Sequence, residues 1–358
     1  EVVTFLDGRL LNTGEESYYD LPLQANQSAD LYTHCVKAIQ HALQFGIHGL
    51  PLIGSGDWND GMDKVGEEGK GESVWLGFFL FDVLGKFSEI AGLKGDLVFR
   101  ELMMSEASKL KKNIGLHAWD GEWYRRAYFD NGTPLGSKEN DECQIDSIVQ
   151  SWSVISRASD MPRSLVAMDS ADKRLVRAED GIIQLFDPPF DTSNLNPGYI
   201  KGYVPGVREN GGQYTHAAIW MIMAFAMIGE KKKAWELLGM INPVYHGSTP
   251  AEIAVYKVEP YVIAADVYAI PNQVGRGGWT WYTGSAGWLY QLIIEVLLGL
   301  KASGNLLKFD PCLPPTGEPI KITYRYRTAV YSIILLHGQK MSEKMSVTLD
   351  GALQQNNS

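Results

Sequence analysis

Helical periodicity recurs along most of this chain and constrains its fold more than any other feature. Across residues 29–45 apolar side chains return every three to four positions, and Gly46 then provides a stop signal. Further helices are predicted at residues 73–90, 96–113, 145–157, 163–177, 214–228, 231–240 and 285–300. Most are joined by loops rich in glycine, proline or asparagine. The chain is therefore expected to be mainly α-helical.

Two segments depart from this helical pattern. Residues 122–130 (EWYRRAYFD) alternate like a strand, and the turn-like NGTPLG follows them. Residues 320–336 (IKITYRYRTAVYSIILL) also alternate and contain many β-branched side chains, after a proline-rich stretch at 311–319. The sequence thus predicts a helical region over residues 1–302 and a small C-terminal β domain over residues 303–358.

The order of the helices bears on their arrangement. Helices in succession, with aromatic residues concentrated in the loops between them, favour a toroid of paired helices whose inner ends line a cavity. An irregular helical domain would produce much the same pattern. Periodicity alone leaves both arrangements open.

Charge, hydropathy and cysteine content exclude several classes of protein. The formal net charge is -10, and no basic cluster exceeds the three lysines at 231–233, so nucleic acid is not an expected partner. Apolar runs such as 217–229 fall short of the roughly 18 residues that a membrane span needs. Cys35, Cys143 and Cys312 are far apart and odd in number, which favours reduced thiols over disulfides or a zinc site. A cytoplasmic location is expected.

The stretch GSGDWNDGMDKVG at residues 54–66 carries three aspartates around a tryptophan, with too many glycines for a helix. A calcium-binding loop is excluded, because Gly61 and Met62 occupy the positions of a ligand and of the obligatory glycine. A P-loop is excluded because Glu72 stands where its lysine is required. No metal site is expected. A turn whose aspartates cap neighbouring amides remains open, and Asp57 is assigned that structural role.

Two further stretches, RENGGQYTH at 208–216 and GGWTWYTGSAGW at 277–288, place polar residues directly before predicted helices. Unpaired N–H groups at a helix start favour an anion, and His216 and Thr283 could donate further hydrogen bonds. Each residue alone is more simply explained as a core histidine or a helix cap. Taken together, the two stretches predict an anion site.

Tryptophans accompany this predicted anion site. The flat faces of Trp58, Trp279 and Trp281 suit the C–H faces of sugar rings, although large aromatic side chains are also ordinary core material. An anion site beside a sugar-stacking surface is therefore the interpretation that accounts for all three stretches.

These motifs resemble those of glycoside hydrolase family 94. The resemblance rests on HGLPLIGSGDWNDGMDKVGEEGKGESVWLGFFL (48–80), RENGGQYTHAAIW (208–220) and the segment 258–288, which runs from VEPYVIAADVYAIP to GRGGWTWYTGSAGW. It covers nearly the whole chain and is most pronounced with the phosphorylase-type region of cyclic β-1,2-glucan synthases and with 1,2-β-oligoglucan phosphorylases. It implies an (α/α)6 barrel followed by a C-terminal β domain, and inverting phosphorolysis of β-glucosides.

The resemblance also assigns roles to particular side chains. Asp60, the second aspartate of the DWND motif, is implied as the general acid, and Trp58 as part of a sugar subsite. Glu209 matches a glutamate of the substrate pocket, and Trp281 is the candidate among the loop tryptophans for substrate binding. The implied phosphate ligands are His216, Thr283 and Gly284.

This set of residues suits a phosphorylase. Phosphate is itself a nucleophile, so one general acid and an anion site suffice, whereas an inverting hydrolase needs a second carboxylate roughly 6.5–9.5 Å away. The acid must stay protonated near neutrality, and Trp58 and Asp57 are expected to provide the apolar and anionic surroundings. Phosphate is then a co-substrate, no cofactor is expected, and a β-glucan oligosaccharide is the expected partner. A homo-oligomer remains open.

Two alternatives remain. One is an inverting hydrolase of the same fold, in which Glu209 is the base. The other is a non-catalytic glucan-binding module of a synthase. Family members carry an N-terminal β domain, a linker and further barrel helices ahead of these motifs, including arginines of the sugar and phosphate subsites. This chain is therefore expected to be part of a barrel, self-associating and inactive alone, and its parent could be an inner-membrane synthase.

Overall fold

The computed structural model describes residues 2–10, 12, 15, 18, 20–314, 316–337 and 345–354. Helices predominate in this part of the chain, as the periodicity predicts. The α-helices are α1 (Leu31–Ala42), α2 (Val74–Lys94), α3 (Leu97–Asn113), α4 (Ser147–Ile155), α5 (Met161–Leu175), α6 (Thr215–Met227), α7 (Lys231–Ile241), α8 (Pro250–Tyr256) and α9 (Ser285–Gln291). Short 3-10 helices lie at Asp60–Met62, Tyr199–Gly202 and Pro243–His246, and π-helical segments at Ile114–Ala118 and Leu292–Leu297.

The strands are short and form small antiparallel sheets between the helices. In chain order they are β1 (Val2–Asp7), β2 (Leu23–Asp30), β3 (Glu72–Ser73), β4 (Ala127–Tyr128), β5 (Pro134–Leu135), β6 (Ile145–Asp146), β7 (Val176–Arg177), β8 (Ile182–Ile183), β9 (Phe186–Asp187), β10 (Gln213–Tyr214), β11 (Asp266–Val267), β12 (Leu300–Ser303), β13 (Leu306–Phe309), β14 (Ile320–Tyr326), β15 (Ala329–Leu335), β16 (Thr348–Leu349) and β17 (Ala352–Leu353). The pairings are β1–β2, β3–β4–β5, β6–β9, β7–β8, β10–β11, β12–β13, β14–β15 and β16–β17.

Local sequence sets the ends of the long helices. The Ser73 hydroxyl accepts a hydrogen bond from the backbone N–H of Leu76 and so caps α2, which ends at Gly95 with a positive φ of 78°. The Asp146 carboxylate caps α4 in the same way, through the N–H of Ile148. Helix α2 packs on α3, and α4 packs on α6, which also contacts α7 and α9.

A cluster of tryptophans holds four of these helices together. Trp75 of α2, Trp152 of α4 and Trp220 of α6 lie with ring centroids 5.3–6.1 Å apart. Trp288 of α9 packs edge-on against Trp220 at 5.5 Å. Aromatic contacts of this kind stabilise a core beyond the area they bury. The cluster therefore sets the relative positions of the helix starts that carry the candidate site.

The predicted strand over residues 122–130 is largely wrong, since only β4 forms. The backbone N–H of Tyr124 donates to the side chain of Gln150 rather than to a neighbouring strand. The Trp123 indole donates to the carbonyls of Gly136 and Gln144. Both Trp123 and Tyr124 are buried, so the alternation of a half-exposed strand is absent.

The predicted helix over residues 285–300 ends early. Helix α9 passes into the π-helical segment Leu292–Leu297, and Leu300 already begins β12. Gly299 has a positive φ of 67° and lies against the backbone of Asp310, so the chain turns there. Strand β12 thus begins just ahead of the expected boundary at residue 303.

The C-terminal segment is β-structured as predicted. Strands β14 and β15 pair from Ile320 opposite Leu335 to Tyr326 opposite Ala329. The last part of the predicted C-terminal domain includes residues outside those described. Among the described helices, none combines the length and apolar character that crossing a bilayer would require.

Candidate functional site

The loop at residues 54–66 is tied together by its own polar side chains. The Asp57 carboxylate accepts a hydrogen bond from the N–H of Asn59 at 3.0 Å, and the Asn59 side chain accepts one from Gly61 at 3.1 Å. Asn59 thereby caps the short 3-10 helix that begins at Asp60. Asp57 has the local capping role predicted for it.

Asp57 also has a partner that the sequence did not reveal. Both guanidinium terminal nitrogens of Arg126 lie 2.6 Å from its two carboxylate oxygens, and both side chains are completely buried. The Ser73 hydroxyl donates to the same carboxylate at 2.6 Å. Burial raises the pKa of Asp57, but Arg126 and Ser73 outweigh it, and the net pKa is lowered. The Asp57 charge is therefore compensated rather than directed at Asp60.

Asp146 lies on the other side of Arg126 and behaves differently. Its Oδ2 is 3.3 Å from the Arg126 Nε, and that Nε makes no geometrically sound hydrogen bond to any described residue. Burial raises the pKa of Asp146 to about 6, against the opposing charge of Arg126. Arg126 thus links the loop at residues 54–66 to Asp146, which caps α4. Its contacts with Asp57 are the shorter of the two sets.

Asp60 is exposed at the start of its 3-10 helix and lies beside a second loop. The backbone N–H of Tyr199 donates to the Asp63 carboxylate at 3.0 Å, and the N–H of Lys64 donates to the carbonyl of Pro197 at 3.1 Å. Burial raises the pKa of the Tyr199 phenol, and the neighbouring Asp60 carboxylate raises it further. Tyr199 is thus a side-chain neighbour of Asp60 that sequence reasoning missed.

A cavity of about 530 Å³ opens beside these loops. It is lined by Arg208, Tyr214, His216, Ala265, Asp266, Trp279, Tyr282, Thr283 and Gly284. All three predicted phosphate ligands belong to this set. Asp60, Trp58, Glu209 and Trp281 do not, although the Trp58 ring packs edge-on against His216 at 5.3 Å and against Tyr214 at 5.4 Å.

Strand pairing explains why distant motifs meet at this cavity. Strand β10 immediately precedes α6 and pairs with β11, so that Tyr214 lies opposite Asp266. The N–H of Thr215 donates to the carbonyl of Ala265 at 2.8 Å. On the other side of β11, the N–H of Ala265 donates to the carbonyl of Trp279 at 2.7 Å. Strand β11 therefore joins the stretch 208–216 to the stretch 277–288.

His216 lies in the first turn of α6 and is packed among aromatic rings. Its ring centroid is 4.4 Å from that of Trp220 and 5.6 Å from that of Trp288. Burial lowers the pKa of His216 to about 4, and its Nε2 has no hydrogen-bond partner among the described residues. A neutral imidazole with a free ring nitrogen is available for a ligand at neutral pH.

Thr283 and Gly284 lie where the loop meets α9. The Thr283 hydroxyl donates to the Ser285 hydroxyl at 2.8 Å and accepts from the backbone N–H of Ser285 at 3.1 Å. Trp281 lies in the same loop, but its side chain is 68% exposed and its nearest aromatic neighbour is Tyr261 at 6.2 Å. The structure thus brings Thr283 and Gly284 together with His216 and leaves Trp281 on the outer surface of the loop.

Glu209 lies just behind the cavity wall. Burial raises its pKa, while the charge of Arg208 and the hydroxyl of Tyr214 oppose that increase. Its Oε2 is 3.9 Å from the Arg208 Nε and has no hydrogen-bond partner in the described part of the chain. Glu209 is thus a buried carboxyl with an unused oxygen next to the cavity.

Arg208 is held over two aromatic rings. Its guanidinium carbon is 5.1 Å from the ring centroid of Tyr203 and 5.8 Å from that of Trp279. Such stacking fixes a cation without using its hydrogen-bond donors. Arg208 therefore presents a positive charge to the same cavity as His216.

Sequence reasoning assigned no role to several residues of the site. Arg208 belonged to a recognised motif, and Trp279 was considered only as an aromatic face. A charged residue inside an otherwise apolar run was the available signal for Asp266 in VIAADVYAI. Arg126 had no such signal, because EWYRRAYFD carries several charges. Tyr199 and Tyr282 carried no distinguishing signal. Among the described residues, no group of three or more His, Cys, Asp or Glu is arranged to hold a metal ion.

Comparison with known proteins identifies relatives of the chain. A family model described as the catalytic domain of the glycosyl hydrolase 94 superfamily matches residues 2–299. The chain is 46% identical over 344 residues to the cyclic β-(1,2)-glucan synthase NdvB of Rhizobium meliloti (strain 1021), an alignment covering 96% of this chain and 12% of that protein. It is 28% identical over 349 residues to the solabiose phosphorylase of Paenibacillus borealis, covering 96% of this chain and 45% of that enzyme.

A shorter match is to the 1,2-β-oligoglucan phosphorylase of Listeria innocua serovar 6a, at 37% identity over 122 residues, or 30% of this chain and 11% of that enzyme. The chain therefore spans less than half the length of each of these relatives. These matches agree with the motif resemblance, and the family model covers most of the chain. The chain belongs to the glycosyl hydrolase 94 superfamily.

Proposed function

We propose that this chain takes part in the inverting phosphorolysis of β-glucosidic bonds in β-1,2-linked glucose oligosaccharides, releasing α-glucose 1-phosphate. The proposal rests on one observation. A single cavity is lined by His216, Thr283 and Gly284 together with Arg208. A neutral imidazole, a hydroxyl, backbone N–H groups and a fixed cation form a donor set suited to phosphate.

In this mechanism Asp60 is the general acid. Asp60 gives its proton to the glycosidic oxygen as the bond from that oxygen to the anomeric carbon breaks. A phosphate oxygen forms the new bond to the anomeric carbon from the opposite face, which inverts the configuration. Trp58, in contact with His216, would line the sugar subsite between acid and phosphate.

The Tyr199 phenol supports this role for Asp60. A phenol beside a carboxyl group restricts the orientations that the carboxyl group can adopt, and a general acid must be oriented toward the atom it protonates. Asp57 would not have the electrostatic role expected from the sequence, which was to help keep Asp60 protonated. Because Arg126 compensates its charge, Asp57 would hold the loop in place rather than keep Asp60 protonated.

The alternative of an inverting hydrolase would use Glu209 as the base. A hydrolase base must activate a water molecule on the face opposite the acid, whereas the cavity collects Arg208 and His216, groups that suit an anion. Glu209 is better suited to accept a hydrogen bond from substrate through its free Oε2. The observations therefore favour phosphorolysis over hydrolysis.

The membership of the family supports two further proposals. The described helices would form part of an (α/α)6 barrel over residues 1–302, followed by a C-terminal β domain over residues 303–358. The 46% identity to a cyclic β-(1,2)-glucan synthase supports a β-1,2-glucan as substrate and a place within a larger, cytoplasm-facing synthase. A homo-oligomer would be compatible with this arrangement.

Phosphate dependence tests the proposed function. The complete protein is incubated with β-1,2-glucan oligosaccharides with and without inorganic phosphate, and glucose 1-phosphate is measured enzymatically. We expect α-glucose 1-phosphate only when phosphate is present. Release of glucose without phosphate would indicate a hydrolase, and glucan binding with neither product would indicate a non-catalytic module.

A further inference from the structure

Asp266 is a buried carboxyl that lines the cavity and that the mechanism above does not use. It lies on β11 and is only 2% exposed. Its Oδ1 accepts a hydrogen bond from the backbone N–H of Trp279 at 3.0 Å. Its Oδ2 has no hydrogen-bond partner among the described residues. A buried polar atom left unpaired is costly, which suggests a ligand as its partner.

The surroundings of Asp266 hold its carboxyl in one orientation. A Cβ added to Gly278 would lie 2.3 Å from Oδ1 and 2.4 Å from Oδ2, so the glycine backbone packs directly on the carboxyl group. Because Oδ1 accepts a hydrogen bond from the backbone N–H of Trp279, the carboxyl group is fixed relative to the backbone of that residue. Asp266 and Trp279 therefore lie next to each other in the cavity wall.

We propose that Asp266 and Trp279 form a sugar subsite, in which a glucose unit of the glucan stacks on the indole of Trp279 and donates a hydroxyl hydrogen bond to Asp266 Oδ2. Trp279 is 54% exposed and lines the cavity, so its indole offers surface to a ligand besides the face toward Arg208. A carboxyl acceptor beside an aromatic face matches the donor hydroxyls and apolar C–H faces of a pyranose. The subsite rests on the proposed function in its choice of a glucan as ligand.

Phosphate is a poorer partner for Asp266 than a sugar. Burial raises the pKa of Asp266, and in its ionised form the carboxylate repels an anion, while the cavity offers phosphate the cation of Arg208 and the free ring nitrogen of His216 instead. The volume of about 530 Å³ is within the range of pockets that hold a whole small organic molecule, so it can accept a sugar beside a phosphate. Asp266 would thus help to separate the sugar and phosphate positions within one cavity.

Direct binding measurements without turnover test the subsite. Isothermal titration calorimetry on the complete protein would use sophorose, the β-1,2-linked glucose disaccharide, in the absence of phosphate. In Asp266→Asn the amide oxygen must face the N–H of Trp279, so the NH2 group replaces the free acceptor. We expect sophorose affinity to fall by about tenfold in Asp266→Asn and Asp266→Ala, as for the loss of a hydrogen bond to a buried acceptor.

A second variant and a matched control separate binding from folding. Trp279→Ala removes a half-exposed side chain and should also weaken sophorose binding, by roughly threefold to tenfold. Tyr245→Ala removes a comparably exposed aromatic side chain that does not line the cavity, and should leave the affinity unchanged. Melting temperatures of all variants report on folding. Unchanged sophorose affinity in folded Asp266→Ala and Trp279→Ala would overturn the proposal.

Monodeoxy sophoroses identify the hydroxyl. One deoxy analogue should bind the wild type about tenfold more weakly than sophorose, yet bind Asp266→Ala as well as sophorose does. Phosphate affinity, titrated separately, should be unchanged or higher in Asp266→Ala. Weaker phosphate binding with unchanged sugar binding would place Asp266 in the anion site instead and refute the subsite. If the wild type binds sophorose but releases no glucose 1-phosphate, the proposed function fails while the subsite stands.

Discussion

Arg126 donates two hydrogen bonds of 2.6 Å to the Asp57 carboxylate, and both side chains are completely buried. This pair anchors the loop that carries Trp58 and Asp60. Arg126 comes from the segment next to β4, far from the loop in sequence, so the loop is held by a tertiary contact. The geometry is the bidentate arrangement that makes arginine–carboxylate pairs both strong and directional.

Removing Arg126 should therefore unfold or strongly weaken the protein. Breaking a buried pair leaves an uncompensated charge, so Arg126→Met should lower the free energy of unfolding by about 3–5 kcal/mol. Arg177→Met is the matched control, because its pair with Asp180 is partly exposed and should change stability by less than about 1 kcal/mol. Urea unfolding of the three proteins gives the comparison. Equal stability of the two variants would contradict a structural role for the Arg126 pair.

Asp60→Asn should remove general acid catalysis. The loss in kcat for unactivated β-1,2-glucan oligosaccharides should be about 10²- to 10⁴-fold, while the melting temperature changes little because Asp60 is exposed. A substrate with a good leaving group needs less protonation and should be affected less. Near-wild-type turnover of the natural glucan by folded Asp60→Asn would remove Asp60 from the acid role.

Phosphate binding should depend on His216 and Thr283. Replacing either by Ala should raise the KM for phosphate about tenfold or more, and raise the KM for glucan less, since a hydrogen bond to an anion is lost. Thr249→Ala is a suitable control, because Thr249 caps α8 and does not line the cavity. A phosphate KM that stays the same in both variants would exclude the anion site at this position.

The buried His216 should make stability depend on pH. Its pKa is about 4 in the folded protein, and an unfolded histidine has a pKa of about 6.5. Between these values the unfolded chain binds more protons, so this contribution to stability is present above about pH 6.5 and is lost as the pH falls toward 4.

His216→Gln should therefore lose less stability than the wild type between pH 7 and pH 4.5. The comparison between the two proteins is essential, because the raised pKa of Asp146 acts in the opposite direction over much of the same range. Urea midpoints across this pH range provide the measurement. Parallel pH profiles for the two proteins would contradict a depressed histidine pKa.

Gly198 should be essential for docking the Tyr199 loop on the Asp60 loop. It has a φ of 122°, and an added Cβ would lie 2.0 Å from the Asp63 Oδ1 that accepts from Tyr199. Gly198→Ala should lower kcat by roughly tenfold or more, since a displacement of about 1 Å at a site can cost about 100-fold.

Gly69→Ala provides the control for that substitution. Gly69 also has a positive φ, of 76°, but an added Cβ would meet no atom within 4 Å. Gly69→Ala should lower the free energy of unfolding by about 1 kcal/mol and leave kcat near the wild-type value. Equal kcat values for the two variants would show that the loop contact does not matter for turnover.

The local sequence determined the helices and the motifs. Apolar periodicity located α1 to α7 to within a few residues, because a helix that buries one face needs that spacing whatever its partners are. The alternation in residues 320–336 predicted the hairpin of β14 and β15 for the corresponding reason. The stretches around His216 and Thr283 were recognisable as polar residues in unusual positions before they were known to meet.

The tertiary structure decided which of these residues share a site. Strand β11 pairs with β10 on one side and bonds to the Trp279 segment on the other, and this long-range pairing brings Asp266, His216 and Thr283 to one cavity. The partner of Asp57 and the exposure of Trp281 were likewise settled by packing. The spacing of apolar residues shows which face of a helix or strand is buried. It does not show which segment packs against that face, because this depends on contacts between residues far apart in sequence.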